Sequence, residues 1–209
     1  MILEEISLQL QDGEAQEVKK LVKQAIEEGV PVQDILNKGL LEGMDVIGEQ
    51  FKENIVFVPE VLLAARAMTQ GMALLKPLLA EEGAVATGKV CLGTIKGDLH
   101  DIGKNLVKMM MESKGLEVVD LGTNVEPSAF VETAIKENCR IIGVSTLLTT
   151  TMVGMADVIK AAEAAGIRDR VKIMIGGAPV TAAFAAQIGA DLYTPDATTA
   201  AEAAVEFCK

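Results

Sequence analysis

Five short apolar runs alternate with five helix-like segments through the second half of the chain, and this alternation restricts the fold more than any other feature. The runs are Val90–Ile95, Glu117–Leu121, Ile141–Ser145, Lys172–Ile175 and Leu192–Thr194. The helical period returns over Gly103–Lys114, Ser128–Asn138, Thr151–Ala165, Val180–Ile188 and Thr198–Phe207. Strands that alternate with helices pair in parallel, with helices on both faces of the sheet.

Five such units in this length predict a flavodoxin-like (Rossmann-type), doubly wound, five-stranded parallel sheet of order 2-1-3-4-5. Ligands of these sheets bind outside the carboxyl ends of the strands, where the order reverses. The loop after the first strand lies at that point. It is Asp98-Leu99-His100-Asp101-Ile102-Gly103.

The first half reads as helices only. Leu3, Ile6 and Leu10 open with helical spacing, and Gly13 stops them. Val18, Leu21, Val22, Ala25 and Ile26 follow, ended by Gly29 and Pro31. A third stripe runs through Ile35, Leu40, Met44 and Ile47 to about Phe51, and a fourth starts at Pro59. Four helices with short joints predict a four-helix bundle. Gly39, Gly43, Gly48 and Gly71 interrupt these helices, where each is worth about 1 kcal/mol less than Ala. Phe51 and Phe57 bracket a weak loop. Close packing and core filling explain these features, and so does an apolar surface laid against something large and flat. Glu81–Gly88 loses the helical period and reads as a linker and candidate hinge, giving a helical domain over 1–88 and a second domain over 89–209.

Charge narrows the partners. The formal net charge is −11, which argues against nucleic acid and against an anionic membrane surface. No apolar run reaches the ~20 residues that span a bilayer. Acidic Glu4 and Glu5 stand where a signal peptide would carry bases. Cys91, Cys139 and Cys208 form no CxxC pair, so a reducing, cytoplasmic setting is expected.

His100 is the chain's single histidine. An imidazole that binds a metal through one nitrogen commonly donates its other N–H to a carboxylate, and Asp98 is the candidate for that contact. Gly97 and Gly103 leave room for close approach. Other readings stand beside this one: a solvated loop histidine, or an Asp-x-His helix cap. A phosphate cradle lacks its glycine motif, and a phosphorelay receiver lacks the Asp required after the third strand. A zinc site lacks further His or Cys ligands. A metal on His100 would therefore bring its other ligands with it, as in a macrocycle.

Asp98-Leu99-His100-Asp101-Ile102-Gly103 matches the D-x-H-x-x-G signature of proteins that bind cobalamin base-off with a histidine on cobalt. Ser145-x-Leu147 and Gly176-Gly177 follow in order. Gly43-Met44, Gly48-Glu49, Phe51, Phe57-x-Pro59-Glu60 and Ala65-x-Ala67-Met68 resemble the helical cap of methionine synthase. Over essentially its whole length the chain resembles the stand-alone corrinoid proteins of methylamine, methanol and related methyltransferase systems.

The resemblance implies a set of roles. His100 would be the lower axial ligand of cobalt, Asp98 would hold its other nitrogen, and Thr151 would extend the pair into a proton relay. Gly97, Asp101, Ile102 and Gly103 would complete the loop around the ligand. Ser145, Leu147 and Thr149 would contact the displaced nucleotide tail, Gly176-Gly177 would open its slot, and Ala197 would meet its end. Phe51 and Val58 would shield the upper face of the corrin, with the cap glycines part of that lid. The chain would then be a non-catalytic carrier of a methyl group on cobalt. Its partners would be a substrate-specific methyltransferase, a second methyltransferase acting on tetrahydrofolate or coenzyme M, and a reductive activase. A cobalamin-binding sensor or regulatory module is the alternative, and the small subunit of a cobalamin-dependent mutase is a third.

Overall fold

The structure, a computed structural model, describes residues 1–81 and 88–208, so the interior of the expected linker lies outside the described residues. The chain divides into two compact units, Met1–Val85 and Ala86–Lys209.

Among the described residues, every regular element of the first unit is a helix. Helices α1 (Ile2–Gln11) and α2 (Ala15–Glu27) fall where the apolar spacing predicts them. The third helix begins as α3 (Val32–Asp34), widens to a π-helical stretch over Ile35–Leu41, and continues as α4 (Glu42–Lys52). The fourth is α5 (Val58–Glu81). Its start is ordered by Glu60, whose carboxylate accepts the Phe57 N–H at 2.9 Å. Ile6, Leu10, Val18, Ile35, Leu40 and Met44 are buried in this unit.

One expectation for this unit is corrected. Phe57 is 62 % exposed, so it does not fill the core. Three of the interrupting glycines face the neighbouring helices, as the close-packing reading expects. A Cβ on Gly39 would lie 3.1 Å from Ile6, one on Gly43 would lie 3.1 Å from the Ser7 carbonyl oxygen, and one on Gly71 would lie 2.9 Å from Leu40. A methyl at Gly39 or Gly43 would need its neighbour to give by a few tenths of an ångström, and one at Gly71 would need Leu40 to shift, so close packing offsets the loss in helix propensity.

The second unit is the expected parallel sheet, in order β2-β1-β3-β4-β5. Its strands are β1 (Gly88–Ile95), β2 (Leu116–Val125), β3 (Ile141–Ser145), β4 (Lys172–Gly176) and β5 (Leu192–Tyr193). The helices are α6 (Ile102–Ser113), α7 (Pro127–Lys136), α8 (Thr149–Met152), α9 (Met155–Ala164), α10 (Ala182–Ile188) and α11 (Ala197–Cys208). Cys91, Ile95, Phe130, Ile142, Val158 and Ile173 belong to one core on the α7 and α9 side of the sheet. On the other side α6 packs against α11.

Two elements depart from their expected limits. β2 runs four residues beyond Leu121, past Gly122 at φ +77 and a register shift against β1. Thr123 and Asn124 carry no apolar signal. The strand extends because the Asn124 N–H donates to the Asp98 carbonyl at 2.9 Å. The long helix expected over Thr151–Ala165 is broken into α8 and α9 at Gly154. Thr94, Ser145 and Gly176 pair across β1, β3 and β4, so the loops that follow all emerge at one edge.

Candidate functional site

That edge gathers the D-x-H loop, the loop after β3 and the end of β4. Asp98 is fully buried, and the His100 side chain beside it is 53 % exposed. Asp98 Oδ1 lies 2.7 Å from His100 Nδ1 and also accepts the His100 backbone N–H at 3.0 Å. Oδ2 accepts the Leu147 N–H at 2.7 Å and the Thr146 hydroxyl at 2.9 Å. Burial would raise this carboxyl's pKa. The N–H groups of Leu147 and His100, the His100 ring and the Thr146 hydroxyl outweigh it and hold the group well below the usual carboxylate range. A carboxylate held ionised against Nδ1 favours the Nδ1–H tautomer, which places the lone pair on Nε2. Nε2 has no hydrogen-bond partner among the described residues.

The remaining contacts hold the loop itself. The Thr94 hydroxyl donates to the His100 carbonyl at 2.9 Å. Asn124 sits in the left-handed region at φ +55, and its side-chain oxygen accepts the Gly97 N–H at 2.8 Å. Helix α6 starts after Asp101 with no side-chain cap, so Asp98 is not the helix cap that an Asp-x-His could form. Asp101 instead accepts from Asn105 at 3.1 Å.

Of the residues singled out from sequence, Gly97, Asp98, His100, Leu147 and Thr151 come together directly. Leu147 meets Asp98 through its backbone N–H. Thr151 is 3.4 Å from Asp98 Oδ2 but 2.7 Å from the Thr146 hydroxyl. Ser145 is half-buried at the end of β3, and Thr149 is exposed in α8. Gly176 borders open space, and a Cβ there would meet only the Thr194 carbonyl oxygen, at 3.7 Å. Gly177, at φ +126, is a glycine because a Cβ would overlap the Thr146 carbonyl oxygen, and so it serves the packing of two loops. Ala197 is buried at the first position of α11. Phe51 and Val58 are half-buried in the helical unit, on either side of the exposed Ile55 and Phe57.

Sequence reasoning missed Thr146, Thr94 and Asn124, which are polar residues without a motif of their own. It also missed part of an apolar rim. Leu99 and Ile102 are 72 % and 78 % exposed, and Leu147, Leu148 and Val153 are exposed on the loop and helix after β3. These exposed apolar side chains lie on the segments that follow β1 and β3, at the same edge as His100. Among the described residues, no three His, Cys, Asp or Glu side chains are grouped to hold a metal ion. One imidazole with a committed Nδ1 and an open Nε2, set among apolar side chains, fits a metal that arrives inside a large, largely apolar ring.

Comparison with known proteins agrees with this chemistry. Residues 88–205 match the family described as the B12 binding domain, and residues 2–76 match a second family model of the same description. The dimethylamine corrinoid protein of Methanosarcina barkeri is 46 % identical over 176 residues, covering 83 % of this chain and 82 % of that protein. A corrinoid protein of Desulfitobacterium hafniense (strain Y51) is 37 % identical over 206 residues, covering 97 % of this chain and 95 % of that protein. A chain in the crystal structure of the methanol:cobalamin methyltransferase complex MtaBC from Methanosarcina barkeri matches with a TM-score of 0.86 at 29 % identity, over 99 % of this chain and 79 % of that chain. With both halves matched and relatives this similar, the chain belongs to the corrinoid proteins of the methylamine and methanol methyltransferase systems, built as a B12-binding helical cap followed by a Rossmann-like domain.

Proposed function

We propose that the chain holds cobalamin or a related corrinoid base-off with His100 on cobalt. It carries a methyl group from a substrate-specific methyltransferase to a second methyltransferase acting on tetrahydrofolate or coenzyme M. The observation that carries this reading is the His100 ring, anchored at Nδ1 by a buried carboxylate and open at Nε2 within an apolar rim. The bound cofactor supplies a cobalt centre that accepts and releases the methyl group.

The chain's own residues bind and orient. His100 offers the Nε2 lone pair, Asp98 sets the tautomer and raises the basicity of the ring, and Thr151 extends the pair toward solvent as a proton route. Gly97 and Gly103 keep the loop thin, and Ile102, Leu99 and Leu147 cover apolar ring edges. Ser145 and Thr149 offer hydroxyls to the nucleotide tail, Gly176 gives it room, and Ala197 lies near its end. In the helical unit, Phe51 and Val58 would offer apolar surface to the corrin. A reductive activase is the third partner of the system.

The relatives named for dimethylamine and trimethylamine make methylamines the first methyl donors to test. Reconstitution with hydroxocobalamin should give near-stoichiometric cobalt. The Co(II) form should show nitrogen hyperfine splitting in its electron paramagnetic resonance spectrum, and His100→Ala should lose it. Protein that binds no cobalt, or a spectrum unchanged by His100→Ala, would overturn the proposal. Methyl turnover with a cognate methyltransferase and a methylamine separates a carrier from a sensor, which would give none.

A further inference from the structure

We propose that Thr146 is the side chain that positions Asp98 Oδ2, and that it links Thr151 to this carboxylate by two contacts shorter than the direct one. This rests on His100 being the cobalt ligand, and it adds a residue that the D-x-H motif does not contain. Thr146 is 2 % exposed and sits directly after β3. Its hydroxyl is 2.9 Å from Asp98 Oδ2 and 2.7 Å from the Thr151 hydroxyl, while Thr151 itself is 3.4 Å from Oδ2.

Hydrogen counting gives the chain of hydroxyls a direction. An ionised carboxylate only accepts, and each threonine hydroxyl has one hydrogen to give. The Thr146 hydrogen goes to Oδ2, the one ionised acceptor in its reach, in preference to the neutral Thr151 hydroxyl and to the Leu148 carbonyl at 3.4 Å. The Thr146 oxygen then accepts from Thr151, whose nearest acceptor it is at 2.7 Å, ahead of the Leu148 carbonyl at 3.1 Å. Aligned bonds of this kind polarise one another.

A second observation fixes Thr146 from the opposite side. Its backbone N–H donates to the Gly176 carbonyl at 3.1 Å, and its carbonyl oxygen occupies the space where Gly177 would carry a Cβ. Thr146 is thus clamped between β4 and Asp98. With Oδ2 occupied, Oδ1 is left for His100 Nδ1.

The single histidine makes the test clean. Nitrogen-15 NMR of the apoprotein at alkaline pH reads the tautomer of one imidazole. Wild type should show the Nδ1–H form. Thr146→Val should lose that single-tautomer pattern, Thr146→Ser should restore it, and Thr151→Val should keep it. If Thr146→Val does not fold, Thr146→Ala is read in the same way. A wild-type pattern in the valine or alanine variant would overturn the proposal, as would a loss in Thr151→Val equal to that in Thr146→Val. The corrin-loaded spectrum tests His100 as ligand separately, because the NMR experiment contains no corrin.

Discussion

The backbone of Thr146 occupies the space that a side chain on Gly177 would need. The glycine also sits at φ +126, a region that side chains rarely adopt. Strain of that type costs about 1–3 kcal/mol before any overlap is counted. Gly177→Ala should therefore lower stability by about 3 kcal/mol or more and should displace Thr146. Gly176→Ala should change stability by less than about 1 kcal/mol, since its Cβ would make only an ordinary contact at 3.7 Å. Denaturant unfolding followed by circular dichroism measures both. Equal losses for the two variants would contradict this division. If Gly176→Ala stays stable yet weakens corrin binding, the slot for the nucleotide tail lies at Gly176.

Gly103 separates stability from binding. It lies in the first turn of α6, and a Cβ there would meet nothing within 4 Å. Helix propensity alone should make the Gly103→Ala apoprotein more stable by about 1 kcal/mol. Gly103 also closes the D-x-H-x-x-G loop, so a ring bound on His100 as proposed would meet the added methyl. Hydroxocobalamin titration should show weaker binding in a variant whose melting temperature has risen. Unchanged affinity would mean that Gly103 does not face the ring.

Gly71→Ala tests whether the cap glycines serve packing. The methyl would lie 2.9 Å from Leu40 and 3.3 Å from Val18, both fully buried. Overpacking of this kind costs about 1–3 kcal/mol, against about 1 kcal/mol gained in propensity. A net destabilisation of about 1 kcal/mol is expected in thermal unfolding. A stabilised variant would return the glycine to a role at the surface.

The strand order and the D-x-H loop are legible in the sequence because they are written in hydrophobic period and in a scarce residue type. Val90–Ile95 and Ile141–Ser145 read as strands because they are buried on both faces and so are largely apolar. The tail of β2 does not, because Thr123 and Asn124 extend the strand through hydrogen bonds between Asn124 and the D-x-H loop rather than through burial. The π-helical stretch over Ile35–Leu41 is equally silent, since an apolar stripe does not report which carbonyl each N–H finds. In the site, His100 and Asp98 stand out by spacing, whereas Thr146 is one hydroxyl in a run of serine and threonine. Only the loop geometry distinguishes it from Thr149 and Thr150. Gly177 is legible as a special position but not as to purpose, because a glycine beside a ligand and a glycine beside a backbone look the same in sequence.

Lys104 and Asp120 predict a pH-dependent element of stability that is separate from the ligand. The Lys104 ammonium is 2 % exposed and lies 2.6 Å from Asp120 Oδ1 and 2.7 Å from the Asn105 side-chain oxygen. Asp120 also accepts from the Gly122 N–H at 2.9 Å and from Lys108 at 3.3 Å. Partial burial would raise the Asp120 carboxyl. The Lys104 hydrogen bond leads the contacts that outweigh it, and the folded-state pKa is lowered. A depressed carboxyl contributes stability that is complete above its unfolded value of about 3.9 and is lost as pH falls toward the folded value. Asp120→Asn should therefore flatten the decline of stability below about pH 5. At neutral pH it should cost about 2 kcal/mol, below the usual range for a broken buried pair because solvent reaches Asp120. Lys104→Met should cost less, since it removes the buried charge itself and leaves Asp120 with Lys108 and Gly122. The His100 loop is held independently by Thr94 and Asn124, so hydroxocobalamin affinity in Asp120→Asn should stay within about twofold of wild type, under about 0.5 kcal/mol. A large loss of affinity would instead make the Lys104–Asp120 pair part of the site, acting through the position of α6.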